Sequence, residues 1–238
     1  MIHNIINNKG GIGKTTISAY IAEFLLNKGK KVICIDTDPE NHSFARYSEL
    51  DVISIQLKNS QTNNIDKSAF DLMIEIILDN KGKEIVIDNG ASSFNPIINY
   101  LVENEILQLF KEENIENIFI GIVAGAGNTI DSINGLNTLL KNFDTRFLVF
   151  NNQLMGETKY NGKSLEEIQT IKKYTEKILG IINISKQDEY VRYDIEEFTK
   201  YRMLFSDLTQ NINFKMMQKR RLFAYRDSIF NQIGHYLK

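Results

Sequence analysis

Residues 7–16 of this chain, Asn-Asn-Lys-Gly-Gly-Ile-Gly-Lys-Thr-Thr, follow the apolar run Ile-His-Asn-Ile-Ile and precede apolar residues at helical spacing, Ile17, Ile21, Phe24 and Leu25. Glycines between a strand and an amphipathic helix, closed by Lys-Thr, form the pattern of a phosphate-binding loop. Gly10, Gly11 and Gly13, with Ile12 among them, would let backbone N–H groups converge on a phosphate that side chains would obstruct. The helix N-terminus adds partial positive charge at the same point. In such a loop Lys14 would reach the β and γ phosphates of a nucleotide, the Thr15 hydroxyl would ligate Mg²⁺, and Thr16 would lie near the α phosphate. The common pattern has glycine where this chain has Asn8, and it does not specify the lysine at position 9.

Further apolar runs recur along the chain: Lys-Val-Ile-Cys-Ile-Asp from 31, Glu-Ile-Val-Ile-Asp from 84, Ile-Phe-Ile-Gly-Ile-Val-Ala-Gly from 118, Phe-Leu-Val-Phe from 147 and Leu-Gly-Ile-Ile-Asn-Ile from 179. Short Ile- and Val-rich runs without polar alternation read as strands buried on both faces. Helical patterns lie between them, as in Phe94, Ile97, Ile98, Leu101 and Val102. This alternation predicts an α/β fold with a doubly wound, mostly parallel sheet flanked by helices. At 238 residues the chain is expected to form one domain spanning 1–238. The polar stretch from 58 to 68 reads as a surface loop.

With 28 basic and 30 acidic side chains, the composition does not announce a nucleic-acid partner. Cys34 sits alone inside an apolar strand, so no disulfide within the chain is expected and a reducing compartment suits it. The longest apolar run is about half of the roughly 20 residues of a membrane span, and no signal-peptide pattern opens the sequence. A cytoplasmic protein is expected. From Phe214 onward Leu222, Ile229, Phe230, Ile233 and Leu237 keep helical spacing beside Gln-Lys-Arg-Arg at 218–221. That segment reads either as a basic amphipathic membrane anchor or as a last helix packed on the sheet, and its scattered aromatics favour the second.

Two strand ends carry carboxylates. Asp36 and Asp38 are two apart and share one side of an extended chain, and Pro39 closes their turn. Asp88 ends four largely apolar residues, as in a Walker B strand, where it would hold Mg²⁺ through water. The small residues that follow, Asn-Gly-Ala-Ser-Ser, suit a switch that senses a γ phosphate. The three histidines share no metal-ligand spacing.

The spacing Lys-Gly-Gly-x-Gly-Lys-Thr over residues 9–15 resembles the deviant Walker A motif of the ParA/MinD family of ATPases. The resemblance implies dimers that hold ATP between subunits, with Lys9 crossing to the partner's nucleotide as an arginine finger does. It also implies that Asp38 positions the attacking water, that Asp36 helps to hold the Mg²⁺ shell, and that an asparagine of Phe-Asn-Asn-Gln, Asn151 first and Asn152 as the fallback, meets the adenine. Residues 35–52 and 86–104, with Gly-Lys-Ser-Leu-Glu-Glu-Ile-Gln at 162 and Asp-Ile-Glu-Glu-Phe at 194, are similar to plasmid conjugal-transfer ATPases of the TraL type. That likeness implies an ATP-dependent homodimer with slow, partner-stimulated hydrolysis, serving plasmid transfer, mobilisation or maintenance beside a transfer or partition protein. Two alternatives stand beside it. One is a partition ATPase that binds DNA non-specifically through Lys-Met-Met-Gln-Lys-Arg-Arg at 215–221; the other is a P-loop carboxylate ligase or synthetase, which needs a second acid pocket. Iron proteins with the same loop need paired cysteines, which Cys34 cannot supply.

Overall fold

The computed structural model of the chain describes residues 1–58 and 66–237, so most of the stretch expected as a surface loop lies outside the described residues. In chain order the elements are β1 (Ile2–Ile5), α1 (Lys14–Asn27), β2 (Val32–Asp36), β3 (Ile53–Ser54), α2 (Ser68–Asp79), β4 (Glu84–Asp88), α3 (Phe94–Glu103), α4 (Ile106–Glu112) and β5 (Asn117–Ala124). They continue with α5 (Thr129–Asn142), β6 (Arg146–Asn152), α6 (Gln169–Lys173), β7 (Ile178–Ile184), α7 (Glu189–Lys200), α8 (Phe205–Leu208) and α9 (Met216–Tyr236).

The strands form one sheet of seven in the order β3-β2-β4-β1-β5-β6-β7, and every pairing is parallel. Both faces are covered, which explains the unbroken apolar runs: along β4, Val86 faces one core, while Ile85 and Ile87 face the other. The first core is closed by α1, α7, α8 and α9, and the second by α2 to α5. Each predicted strand run is a strand. The two-residue edge strand β3 is an addition, because both its residues are exposed and so short a segment carries no period. Cys34 is buried in β2, where loss of water pushes its thiol up to about 12.

The last helix packs on the sheet. Leu222, Ile229 and Ile233 of α9 are buried in the first core, and the Tyr236 ring lies against Gly180 of β7, where a Cβ would come within 2.1 Å of it. The apolar stripe that a membrane anchor would need is thus committed to the core. Part of the basic run is also engaged: Arg221 Nε donates to the buried Asp194 of α7 at 2.6 Å, and Lys219 donates to the Thr209 carbonyl at 2.8 Å. Among the described residues no helix is long and apolar enough to cross a membrane. Replacing fully buried Ile233 by alanine should destabilise the protein by about 2–4 kcal/mol in urea unfolding. Ile212→Ala, at a position 94% exposed, should change stability by less than about 0.5 kcal/mol.

Candidate functional site

Strand register assembles the site. Asp88 at the end of β4 is level with Ile5 of β1 on one side and Asp36 of β2 on the other, so three connections leave the carboxyl edge together. β4 and β5, consecutive in the chain, flank β1 in the sheet, and open parallel sheets bind ligands at such a reversal of strand order. Asn7 anchors the loop after β1: its amide donates to the carbonyls of Ile122 and Ser132, and its Oδ1 accepts from Lys9 N. Asn8 packs against Gly135 of α5, where a Cβ would lie 2.3 Å from its Oδ1. Gly11 and Gly13 have φ of +73° and +98°, a left-handed backbone that turns the loop into α1. The first turn of α1 has neither a side-chain cap nor an acidic residue, so its N–H groups and positive end remain available to an anion.

Lys14, almost buried, donates from Nζ to the Lys9 carbonyl at 2.6 Å. Burial lowers its pKa, while Asp88 and Asp38 pull the other way. Asp88 is buried beneath the loop and accepts hydrogen bonds from Thr15 Oγ1 at 2.7 Å and Ser18 Oγ at 3.1 Å. Burial, reinforced by the charge of Asp36, raises the Asp88 carboxyl to about 7 against the hydroxyl bonds and Lys14. A buried carboxylate among hydroxyl oxygens, short of countercharge, fits a small hard cation such as Mg²⁺.

Asp36, expected near the metal shell, receives three backbone N–H groups. Its Oδ1 accepts from Asp38 N at 2.9 Å, and its Oδ2 accepts from Phe44 N at 2.9 Å and Ala45 N at 3.1 Å. The carboxylate therefore organises the turn that presents Asp38. Asp38 lies against the 89–93 segment: a Cβ on Gly90 would be 2.9 Å from both the Asp38 Cα and its Oδ1, a contact that only glycine permits. A cleft of about 370 Å³ collects Gly10, Gly11, Gly13, Lys14, Thr15, Thr16, Asp38, Ala91 and Ser92, together with Arg202 from the turn after α7.

The other predicted residues fall outside that cleft. Ile12 is fully buried, and its carbonyl accepts from Asn152 Nδ2 at 3.0 Å. Lys9 turns away and pairs with Asp131 on α5 at 2.8 Å, both side chains being exposed. Asn151, expected at the adenine, is buried, donates to Asn183 Oδ1 at 2.7 Å and accepts from Thr158, while Asn152 on the opposite face reaches the loop. Asn152 lines a second cavity of about 580 Å³ with Tyr20, Leu154, Arg192 and Tyr225, and this cavity shares Gly11, Gly13 and Thr16 with the phosphate cleft. Ser18 and Arg202 were missed. Ser18 was findable three residues after Thr15 on the sheet-facing side of α1, whereas Arg202 carries no local signal.

A parallel doubly wound sheet with a glycine loop leading into a helix, above a buried strand-end aspartate, defines a P-loop nucleotide-binding protein. A family described as an AAA domain matches residues 1–154. The protein TraL of Escherichia coli is 32% identical over 236 residues, 98% of this chain and 96% of TraL. The chain belongs to this ParA/MinD-like family of P-loop ATPases. The fold is shared with the MinC:MinD cell division protein complex of Aquifex aeolicus, at 16% identity and a TM-score of 0.53, covering 98% of this chain and 95% of that one. It is shared as well with a plasmid partition protein of Borrelia burgdorferi B31 bound to AMPPNP, at 18% identity and a TM-score of 0.50, covering 98% of each chain.

The raised carboxyl of Asp88 has a consequence for stability. The folded state holds an extra proton between the unfolded value near 3.9 and about 7, so Asp88 lowers stability as pH rises through that window. Asp88→Asn should raise the melting temperature of the nucleotide-free protein by a few degrees at pH 8 and change it little at pH 4, measured by calorimetry.

Proposed function

We propose that the chain, acting over 1–238 as one ATPase unit, is a cytoplasmic dimerisation switch in which Mg·ATP joins two subunits and hydrolysis separates them. Lys14 and the loop amides bind the phosphates, and Thr16 lies at the α-phosphate end. Thr15 and Asp88 hold Mg²⁺, which neutralises phosphate charge when bound. Asp38, fixed by the turn that Asp36 caps, orients the attacking water. Asn152 meets the base from the second cavity, whose shared lining with the phosphate cleft favours the far end of one nucleotide site over a separate acid pocket for a ligase.

The observation that carries this reading is the placement of the two lysines of one loop. Lys14 lines its own cleft, whereas Lys9 sits outside it on Asp131. An exposed pair of that kind is worth about 0–1 kcal/mol, so Lys9 can leave it readily for the phosphates of a second subunit. Kinship with TraL, and a shared fold with a plasmid partition protein that binds AMPPNP, favour work for plasmid transfer or partition beside a protein partner. The ion pair of Arg221 with the buried Asp194 reduces the charge that the 215–221 run can offer to DNA.

Molecular mass by light scattering with and without Mg·ATP tests the switch. Asp38→Ala should accumulate as an ATP-bound dimer, and Lys9→Ala should bind ATP yet stay monomeric. A single mass for wild type and both variants, whatever the nucleotide, would overturn the proposal.

A further inference from the structure

We propose that Arg202 is a polyphosphate-binding residue, supplied in cis from the turn after α7 to the same cleft as Lys14. The inference rests on the reading of that cleft as a nucleotide site. Arg202 lines it together with the P-loop, although the two lie far apart in sequence. Its guanidinium lies 5.9 Å from the centre of the Tyr47 ring, and the Tyr47 hydroxyl in turn neighbours both Arg202 and Thr16. Arg146, Arg192, Arg221 and Arg226 each pair with a carboxylate, whereas among the described residues Arg202, like Arg46 and Arg220, has no carboxylate partner. A guanidinium held over a ring at the edge of a phosphate cleft is pre-set for two phosphate oxygens, which its planar fork matches.

The backbone supports the assignment. Arg202 has φ +49°, the left-handed conformation in which helices commonly end, and so turns the chain out of α7. That turn is tied to the helix that carries the phosphate loop. Glu23 of α1, buried, accepts from Phe205 N and Ser206 N, each at 2.8 Å. Phe205 stacks on Phe198 of α7 with centroids 4.5 Å apart and contacts Tyr20 of α1 at 5.3 Å. The turn between α7 and α8 is thereby fixed to α1, and Arg202 is fixed relative to the loop that α1 begins. Nucleotide would then bridge the two ends of the chain, with the loop at one side of the phosphates and the turn after α7 at the other.

The test is direct titration with fluorescent ADP and ATP analogues in Mg²⁺, comparing wild type with Arg202→Met, which keeps an apolar stem over Tyr47, and Arg202→Gln, which keeps a polar end. Both variants should bind either nucleotide on the order of ten- to a hundredfold more weakly, as expected for loss of a charged phosphate contact. Both should also show a shallower dependence of affinity on salt, while retaining the wild-type melting temperature without nucleotide. If wild type binds and both variants match its affinity and salt dependence, Arg202 is only a brace for Tyr47 and this inference fails. If wild type binds neither analogue, the nucleotide reading of the cleft fails first and takes Arg202 with it.

Discussion

The seat of Asp88 beneath α1 is the interaction on which the rest of the site depends. Its two oxygens receive the hydroxyls of Thr15 and Ser18, one turn apart on the helix, and so fix the start of α1 over the end of β4. Burial of the Asp88 carboxyl, with Asp36 beside it, disfavours the charged form and pushes it up to about 7. The geometry survives because both strand ends are locked in register and both faces of the sheet are packed. A cation at the Thr15–Asp88 pair would favour the charged form of that carboxylate.

From that seat the order extends outward through α1. Its N-terminus shapes the loop, Glu23 holds the start of α8, and Phe24 meets Phe230 of α9 edge-on at 5.7 Å. The C-terminal layer is thus not an appendage: it closes the first core and leans on the helix that opens the phosphate site. Lys9 is the exception to this rigidity. Its backbone N–H is held by Asn7, yet its side chain has only an exposed partner, which gives a fixed root and a weakly held tip. That combination suits a group whose useful contact is on another molecule.

Much of this was legible in the sequence because the informative features are local. Strands buried on both faces write themselves as apolar runs, and a phosphate loop is a contiguous pattern between a strand and a helix. What remained hidden depends on direction or on distance. Asn151 and Asn152 are adjacent in β6, and neighbours in a strand point to opposite faces, so choosing between them requires knowing which face carries the loop. Asp36 and Asp38 look equivalent at a strand end; only the path of residues 42–45 back over β2 turns Asp36 into an acceptor for backbone N–H groups. Arg202 is brought to the cleft by the packing of α7 and α8 on α1, and nothing near it in the chain announces that. β3 escaped notice because two exposed residues carry no pattern.

The central claim, that Lys9 serves the nucleotide of the other subunit, is tested most directly by mixing two inactive variants. Lys9→Ala keeps its own Asp38 and Lys14 but has no lysine to lend; Asp38→Ala has the lysine but no group to orient water. If Lys9 acts across the interface, equal amounts of the two should regain up to about half of wild-type ATP turnover per mixed dimer, from the site that combines an intact Asp38 with the partner's Lys9. A mixture that forms mixed dimers, shown by differential labelling, and yet stays as inactive as either variant alone would contradict the account.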